Sequence, residues 1–429
     1  MKIELENAVV YQGSNLDVLP TLPDNSVDSI VTDPPYELGF MGKSWDNSGI
    51  AYSVELWTEC MRVLKPGGHL LAFGGSRTWH RLAVAIEDAG FEMRDSIAWL
   101  YGSGFPKSLD IEKAINKSAG VEYQAKPASG VGFMNSSDDG YNTTLNQLSQ
   151  VGESTPEAKQ WQGWGTALKP AFEPVVVARK PLEEKTVAAN VLKFGTGGLN
   201  IDGSRIGTEV ISTHNAPKGT FAGGEQDRGS DTSTYKEHTG RWPANIILDP
   251  YTAELLDEQS GHLKSGKIEA YHNQAGKEAG IYGEIKGLQT ERGYGDTGGE
   301  SRFFYVAKAS KKDRNEGLNH LDVKRPDCRT DTGMGSFAEK GVQPGRNFHP
   351  TVKPTALMEY LIKLVTPPNG IVLDPFTGSG STGKAALLAG FKFIGIELTE
   401  EYLPIIEGRL KWATEQASKT EEEKNEVLF

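Results

Sequence analysis

The chain contains 429 residues, of which 37% are hydrophobic and 24% are charged. This composition excludes wholesale disorder and suffices for a large α/β domain with a substantial second region. The net charge of −12 argues against nonspecific coating of nucleic acid, although a local basic face could still bind it. The N-terminal residues lack a signal-peptide pattern, and no apolar run reaches the ~18 residues of a membrane span. Cys60 and Cys328 lie far apart in sequence and form no metal-ligand motif, so we expect reduced thiols and no metal site. Together these features predict a cytoplasmic protein with no membrane partner.

Residues 1–101 alternate between strand-like and helix-like sequence. A β-rich run, Ser29–Thr32, ends abruptly at Asp33-Pro34-Pro35, and residues 53–64 predict an amphipathic helix that stops before a Pro-Gly-Gly sequence. Three further elements are predicted, namely a strand at 69–73, a helix at 76–89 and a strand at 91–101. Because strands that alternate with helices form parallel sheets, this region predicts one half of an α/β domain.

The middle of the chain differs in composition. Residues 195–345 hold about half of the 50 glycines, and residues 102–171 are similarly polar and rich in turn residues. Between these stretches, residues 172–180 predict a strand that returns to the main sheet, whereas 181–345 holds only short strand-like islands at 245–248 and 303–307. Glycine-rich stretches of this length inside a compact domain indicate inserted functional regions rather than simple connections.

Residues 346–413 return to the alternating pattern of the first region. A helix at 355–365, a strand at 371–374, a helix at 382–389 and a strand at 391–397 together predict a βαβ unit. Residues 414–429 are acidic and predict a solvated tail. The two outer regions therefore combine into a single sheet of roughly seven strands that is interrupted by the middle of the chain.

The glycine-rich turn after the predicted strand at 371–374 has three possible functions. Gly378–Lys384 fits a phosphate-binding P-loop, but Ala385 then stands where a hydroxyl would bind magnesium. A nucleoside site instead predicts Asp374 at the end of one strand and an acid about 20 residues further on to hold the ribose hydroxyls. Glu397 meets that requirement, and an ordinary tight turn has no reason to combine these acids with the glycines. The sequence favours the nucleoside site.

The Asp33-Pro34-Pro35-Tyr36 loop also follows a strand directly, which is where α/β folds bind their ligands. Alone it would be a strand-ending turn, but beside a nucleoside site it can activate an amine. The Asp33 carboxylate and the Pro34 carbonyl could accept the two N–H bonds of a base amine and localise its lone pair. Tyr36 offers a ring face on which a flipped base can stack.

Together, these motifs resemble those of the adenine-N6 and cytosine-N4 amino-methyltransferases of DNA, in the β arrangement with the catalytic motif first. Phe348-His-Pro-Thr-Val-Lys-Pro354 matches a third motif of that family, which helps to hold the cofactor. The resemblance implies a Rossmann-like S-adenosylmethionine-dependent methyltransferase fold with an inserted glycine-rich target-recognition region, as in long-insertion members from phages and prophages. The catalytic residues that it implies are Asp33, Pro34, Pro35 and Tyr36. The cofactor-binding residues that it implies are Asp374, Pro375, Phe376, Gly378, Ser379, Gly380, Glu397, Thr351, Lys353 and Pro354.

The resemblance assigns residues 1–101 to the catalytic half and residues 346–413 to the cofactor-binding half, and it implies double-stranded DNA as substrate with a possible cognate restriction nuclease. An aspartate at position 33 favours adenine N6, with cytosine N4 as the alternative. The sequence also leaves open RNA or a protein glutamine as the methyl acceptor, and an inactive protein that binds DNA as a decoy. One residue departs from the family pattern, because Ser14 follows Gly13 where the family has an acid that helps to seat the cofactor's adenine.

Two groups of residues in the middle of the chain are candidates for DNA contact. Residues 302–329 carry eight Lys or Arg against four Asp or Glu and include three consecutive aromatic residues from Phe303, which suits either DNA contact or a solvated face. Trp161, Trp164 and Trp242 could insert between bases, but we expect them to be core residues of the inserted regions.

Overall fold

The computed structural model describes residues 2–39, 44–104, 108–126, 147–151, 153–214, 235–264, 297–307, 313–323 and 345–426. The chain divides into two compact units. The larger unit contains Met1–Gly102 and Phe172–Phe429, and the smaller contains Ser103–Ala171.

A ten-stranded sheet forms the centre of the larger unit. Its strands, in chain order, are β1 (Lys2–Leu5), β2 (Ala8–Gln12), β3 (Val27–Thr32), β4 (Leu64–Phe73), β5 (Glu92–Leu100), β8 (Phe172–Arg179), β11 (Ile246–Leu248), β14 (Tyr305–Val306), β15 (Ile371–Asp374) and β16 (Lys392–Glu397). The six strands outside this sheet are β6 (Glu122–Lys126), β7 (Gln147–Val151), β9 (Ile206–His214), β10 (Tyr235–Arg241), β12 (Leu263–Lys264) and β13 (Thr297–Gly298).

The strand order is β1-β2-β16-β15-β3-β4-β8-β5-β11-β14. Strands β2, β16, β15, β3 and β4 run parallel to one another, as do β5, β11 and β14. Strand β8 lies between β4 and β5 and is antiparallel to both. The α/β class and the parallel-dominated sheet predicted from sequence are confirmed, but the sheet has more strands than the roughly seven predicted.

Ten α-helices accompany the strands in the described part of the chain. They are α1 (Asn15–Val18), α2 (Val54–Val63), α3 (Trp79–Asp88), α4 (Ile111–Ser118), α5 (Pro156–Lys159), α6 (Val187–Phe194), α7 (Pro250–Ser260), α8 (Thr355–Val365), α9 (Ser381–Leu388) and α10 (Leu403–Glu426). Helix α10 therefore continues into the residues predicted to form a solvated tail, as far as Glu426. No helix in the described ranges is long and apolar enough to cross a membrane.

Both faces of the sheet are covered by helices. Val31 packs into a core formed with α8, α9 and α10, whereas the adjacent Ile30 packs into a second core formed with α2 and α3. Every residue of β3 is buried, as expected for a central parallel strand whose side chains alternate between two covered faces. This burial fixes the strand that leads into Asp33.

The glycine-rich region 181–345 contributes directly to the main sheet. Its short strands β11 and β14 extend the sheet in parallel beyond β5, with Ile247 opposite both Trp99 and Tyr305. The same region also forms a separate antiparallel pair, β9 with β10. Part of the predicted insertion is therefore an edge of the central sheet.

The smaller unit contains helices α4 and α5 and the antiparallel pair β6–β7. Asp110 caps α4 by accepting the Lys113 amide, and Thr155 caps α5. The expectation that the tryptophans are core residues is wrong, because Trp161 is 40% exposed and Trp164 is 60% exposed. Trp242 in the larger unit is 65% exposed.

Candidate functional site

Two loops identified from sequence meet at the carboxyl edge of the central sheet. Strands β3 and β15 are parallel neighbours, so Asp33 and Asp374 emerge side by side. The Thr32 hydroxyl joins the loops by donating a 2.6 Å hydrogen bond to Asp374 Oδ1. Ligands bind in α/β proteins at this edge, where consecutive strands connect in opposite directions.

The two oxygens of the Asp33 carboxylate have different environments. Oδ2 accepts a 2.6 Å hydrogen bond from Lys353 Nζ. Oδ1 is buried and has no hydrogen-bond partner within the described part of the chain. A buried acceptor without a donor is costly, so Oδ1 is poised for a donor that a ligand would bring.

Tyr36 and Glu173 complete a cluster with Asp33 and Lys353, which we name the charge cluster. The Tyr36 hydroxyl donates to Glu173 Oε2 at 2.8 Å and accepts from Lys353 Nζ at 3.2 Å. Lys353 Nζ also lies 3.3 Å from Glu173 Oε2. Burial and the charges of Asp33 and Glu173 raise the pKa of Tyr36 well above its usual range. Burial opposes ionisation of Lys353, but the two carboxylates outweigh it and raise the pKa of the lysine.

Neighbouring backbone and side chains hold the Asp33–Tyr36 loop rigid. Thr78 Oγ1 donates to the Tyr36 carbonyl at 2.9 Å, and Asp46 accepts the amides of Glu37 and Leu38. Tyr36 also packs against Gly75, where an added Cβ would lie 3.2 Å from the ring. The loop therefore presents Asp33 and Tyr36 with little freedom to rearrange.

The glycine-rich loop wraps around the acid at the end of β16. Gly378 and Gly380 have φ of 55° and 75°, a conformation that side chains other than glycine rarely adopt. Glu397 accepts the amides of Gly378 and Thr399, each at 2.7 Å. Burial raises the pKa of Glu397 to about 7 and that of Asp374 to about 6. Both acids lie at the position expected of a nucleoside site.

His349 packs beneath the same loop. A Cβ built on Gly378 would lie 3.1 Å from His349 Nε2, so a larger residue there would crowd the ring as well as strain the backbone. Burial lowers the pKa of His349 to about 4, which keeps the ring neutral near pH 7. Its Nδ1 pairs with the carbonyl of Thr351, whose side chain is exposed. Pro354, the last residue of this motif, is the N-cap of α8.

A buried ionic group supports the glycine-rich loop from below. Arg409 is fully buried and donates a 2.8 Å hydrogen bond to the carbonyl of Ser379. Lys384 is 1% exposed and contacts Asp313 at 2.5 Å and Glu316 at 2.8 Å. A P-loop lysine must reach bound phosphates, whereas this one is committed to two carboxylates, which disfavours the P-loop alternative.

The N-terminal residues also contact the glycine-rich loop. Gly13 donates its amide to the Glu397 carbonyl at 2.9 Å, and Asn15 Nδ2 lies 3.5 Å from the Pro375 carbonyl. Ser14 begins α1, but its side chain makes no capping hydrogen bond. This segment therefore borders the glycine-rich loop with a neutral side chain at position 14, and its part in seating a cofactor stays a prediction.

The structure thus brings the predicted residues into two adjoining groups. Asp33, Tyr36 and Lys353 form one, and Asp374, Gly378 and the other cofactor-loop residues form the second with Glu397. Lys353, for which the resemblance implies cofactor binding, contacts Asp33 and Tyr36, and its role toward the cofactor stays a prediction. In the described residues, no cluster of His, Cys, Asp and Glu could hold a metal ion.

Sequence reasoning missed Glu173, Asp313 and Arg409. Glu173 carried one recognisable signal, since it is the lone acid of the strand Phe172–Arg179 and directly precedes the apolar run 174–178. Asp313 and Arg409 carried none, because their partners are distant in sequence and only the fold brings them together.

The candidate DNA-contact segment is only partly described. Arg302 lies over the Phe303 ring at 4.3 Å, and Arg241 lies over the same ring at 5.2 Å. Residues 308–312 and 324–329, which carry most of the basic charge, lie outside the described residues. The predicted contact with DNA stays a prediction.

The carboxyl edge of this α/β sheet thus holds an acidic, aromatic loop beside a glycine-rich loop with two buried acids, and comparison with known proteins gives the family. A family model described as DNA methylase matches residues 27–408. Since this match spans most of the chain, the protein belongs to the N6/N4 methyltransferase family of DNA methylases.

Several characterised proteins match parts of the chain. A type II methyltransferase of Lactococcus lactis subsp. cremoris, M2.LlaDCHI, is 44% identical over 26% of this chain and 37% of its own length. The DNA adenine methyltransferase YhdJ of Escherichia coli (strain K12) is 53% identical over 13% of this chain and 19% of its own length. These matches span less than half of either relative. Among solved structures, PvuII DNA methyltransferase (cytosine-N4-specific) covers 96% of this chain and 92% of its own, with 14% identity and a TM-score of 0.42.

Proposed function

We propose that the protein transfers a methyl group from S-adenosylmethionine to the exocyclic N6 amine of adenine in duplex DNA. The observation that carries this proposal is the buried Oδ1 of Asp33, which has no hydrogen-bond partner in the described part of the chain. Asp33 lies beside the glycine-rich loop, to which Thr32 is hydrogen-bonded through Asp374. An acceptor held at that position needs a donor, and a base amine that has left the duplex supplies two N–H groups.

The residues of the glycine-rich loop fit S-adenosylmethionine. Glu397 lies at the end of β16 and can accept the ribose hydroxyls, while Gly378 and Gly380 let the backbone approach the ligand. Asp374 supplies a second acid next to Thr32, and Ser379 is fixed by Arg409. We assign Pro375, Phe376, Thr351, Lys353 and Pro354 to the surrounding wall.

Bound at this loop, the cofactor supplies an electrophilic methyl group on a sulfonium. Asp33 Oδ1 and the Pro34 carbonyl would each accept one N–H of the target amine, which localises the nitrogen lone pair. Pro35 adds rigidity to the loop because its ring fixes φ. Tyr36 holds the flipped base by stacking, so that the amine points toward the glycine-rich loop. No covalent enzyme intermediate is needed, because the nitrogen would form its bond to the methyl carbon as the carbon–sulfur bond breaks. The surplus N–H proton of the amine would then leave through its hydrogen bond to Asp33 Oδ1.

Adenine is favoured over cytosine by the aspartate at position 33. The relative YhdJ is named as an adenine methyltransferase, whereas the PvuII enzyme is named as cytosine-N4-specific.

Within the proposed enzyme, residues 1–101 and 346–413 form the catalytic and cofactor halves. The inserted region 181–345 reads the target sequence, 102–171 is a further insertion, and a cognate restriction nuclease is a possible partner.

Expression in a host that lacks DNA methylation tests the proposal. Sequencing with modification-sensitive reads reports the base, the position and the motif, and N6-methyladenine at one motif is the expected result. N4-methylcytosine would support the alternative base, and unmodified DNA would contradict the activity.

Asp33→Ala tests the assigned acceptor. It removes the carboxylate, so methyl transfer should fall at least ~10²-fold while S-adenosylmethionine still binds. Asp88→Ala, at the exposed end of α3, is the matched control and should retain activity. Full activity in Asp33→Ala would overturn the mechanism.

A further inference from the structure

Glu173 contacts both the phenol and the ammonium that surround the catalytic carboxylate, yet the chemistry above does not use it. Its Oε2 accepts from Tyr36 Oη at 2.8 Å and lies 3.3 Å from Lys353 Nζ. Its side chain is 19% exposed and that of Lys353 is 9% exposed. A carboxylate at this degree of burial is costly unless it is paired, and both of its contacts lie within the charge cluster.

The backbone holds Glu173 firmly in place. It lies on β8, opposite Trp99 of β5, and the next residue, Pro174, accepts the Gly74 amide at 2.9 Å. Strand β8 is hydrogen-bonded on both sides, so the carboxylate projects from a part of the sheet that cannot shift easily. Side chains on rigid elements position a site more accurately than those on loops.

The balance of charge in the cluster gives Glu173 a role. Lys353 donates to Asp33 at 2.6 Å, and by itself this ammonium would cancel the negative charge of the catalytic carboxylate. Methyl transfer moves positive charge onto the amine, so cancellation would remove the electrostatic stabilisation that the reaction needs. With Glu173, two carboxylates face one ammonium and the cluster keeps a net negative charge.

The same carboxylate fixes the ring of Tyr36. The Tyr36 hydroxyl is held between Glu173 and Lys353, and its backbone carbonyl is held by Thr78. A ring fixed at both ends presents one face in one orientation. A base that stacks on that face would therefore meet Asp33 Oδ1 at a constant angle.

We propose that Glu173 is a positioning residue for methyl transfer, which orients Tyr36 and shares Lys353 so that the cluster stays negative at the target amine. This inference rests on the proposed function and deepens it. It predicts that Glu173 affects the chemical step and base orientation, but not cofactor binding, because its contacts lie in the charge cluster rather than in the glycine-rich loop.

Glu173→Gln removes the charge with little change in size. We expect kcat for DNA methylation to fall ~10- to 10²-fold, while KM for DNA and Kd for S-adenosylmethionine change less than about threefold. Glu173→Asp keeps the charge and should recover part of the loss. Glu92→Gln is the matched control, because Glu92 pairs with Arg179 at the other end of the same strand pair. It should keep kcat within about twofold.

A double-mutant cycle separates the contact of Glu173 with the Tyr36 hydroxyl from its contact with Lys353. In a Tyr36→Phe background the ring remains but the contact with Glu173 Oε2 is lost. The fold-loss caused by Glu173→Gln should therefore be several times smaller there than in the wild-type chain. Equal losses in the two backgrounds would overturn the orienting role.

A readout that needs neither cofactor nor DNA is the titration of Lys353, followed by NMR in protein with ¹³C-labelled lysine. Because Glu173 helps to raise the pKa of Lys353, that pKa should fall in Glu173→Gln and stay unchanged in Glu92→Gln. Lys353→Arg assigns the resonance.

The outcomes distinguish this inference from the proposed function. An active wild-type protein with an equally active Glu173→Gln variant would overturn the inference alone. A joint loss of thermal stability and cofactor affinity, without recovery in Glu173→Asp, would make Glu173 merely structural and would also overturn it. A wild-type protein that methylates no DNA amine would overturn both.

Discussion

Lys353 shows how a single residue can join two motifs that are far apart in sequence. Its Nζ contacts Asp33, Tyr36 and Glu173, although the motif around it resembles one that holds cofactor. All three contacts lie in the charge cluster, so the motif around Lys353 reaches the Asp33 loop through this one side chain.

Cofactor affinity should depend on pH through Glu397. Burial raises the pKa of this acid to about 7, so its carboxylate is ionised mainly above pH 7. An ionised carboxylate accepts the ribose hydroxyls more strongly, so affinity for S-adenosylmethionine should weaken as pH falls through about 7. Calorimetric titration between pH 6 and 8.5 measures this change.

Glu397→Gln should flatten that dependence and leave a smaller one near pH 6, where Asp374 titrates. Glu401→Gln, which removes an exposed acid nearby, is the control and should keep the wild-type profile. An unchanged profile in Glu397→Gln would show that another group governs the pH dependence.

At the scale of elements, three helices converge on one carboxylate. Asp313 accepts the amide of Thr355 at the start of α8, contacts Lys384 of α9 and lies 3.7 Å from Arg409 of α10. This acid comes from the glycine-rich part of the chain. Asp313 therefore connects the region 181–345 to helix α9, whose N-cap is Gly380.

Lys384→Met should destabilise the larger unit. The variant leaves Asp313 and Glu316 without their main counter-charge, and removing one partner of a buried pair costs about 3–5 kcal/mol. Urea unfolding measures the loss. Lys411→Met breaks the exposed pair with Glu407 on α10 and should cost no more than about 0.5 kcal/mol. Equal costs in the two variants would contradict a structural role for the buried cluster.

Long, periodic elements could be predicted from sequence, and short or bulged ones could not. Helix α2 was predicted at 53–64 and spans Val54–Val63, because Ser53 caps it as its type suggests. Strand β4 begins at Leu64 rather than at 69, since Gly67 pairs with the Lys180 carbonyl and continues the strand through an apparent stop signal. Strands β11 and β14 are too short for periodicity to place them in the main sheet.

The candidate site divides in the same way. Asp33 and Tyr36 could be proposed because their Pro-containing loop follows a strand, and Glu397 because it ends a strand about 20 residues after the glycine-rich turn. The pairing of Lys353 with Asp33 could not, since those residues are 320 positions apart. Glu173 could not be identified because a single acid near the start of a strand fits many roles.

At the scale of the molecule, the smaller unit is inserted at one point of the larger sheet. Leu100 of β5 lies opposite Phe172 of β8, so the chain leaves and re-enters the sheet on neighbouring antiparallel strands. Two strands in this arrangement can be joined by a short hairpin.

Replacing residues 103–171 by a short glycine-containing linker should therefore leave the larger unit folded. Circular dichroism and S-adenosylmethionine binding should be retained, and DNA affinity or sequence preference should change if this unit helps to read the target. As a control, deletion of β8 as well should abolish folding, because β8 bonds to both β4 and β5. Loss of cofactor binding in the linker variant would contradict independent folding.

The position of β3 between β4 and β15 has a consequence for synthesis. Strand β4 (Leu64–Phe73) leaves the ribosome soon after β3 (Val27–Thr32). Strand β15 begins only at Ile371, so it is synthesised much later. Until then, one edge of β3 has no partner, and exposed strand edges invite aggregation. We therefore expect the nascent chain to depend on chaperones, and ribosome stalling after β14 to yield a species without either loop of the site in its final position.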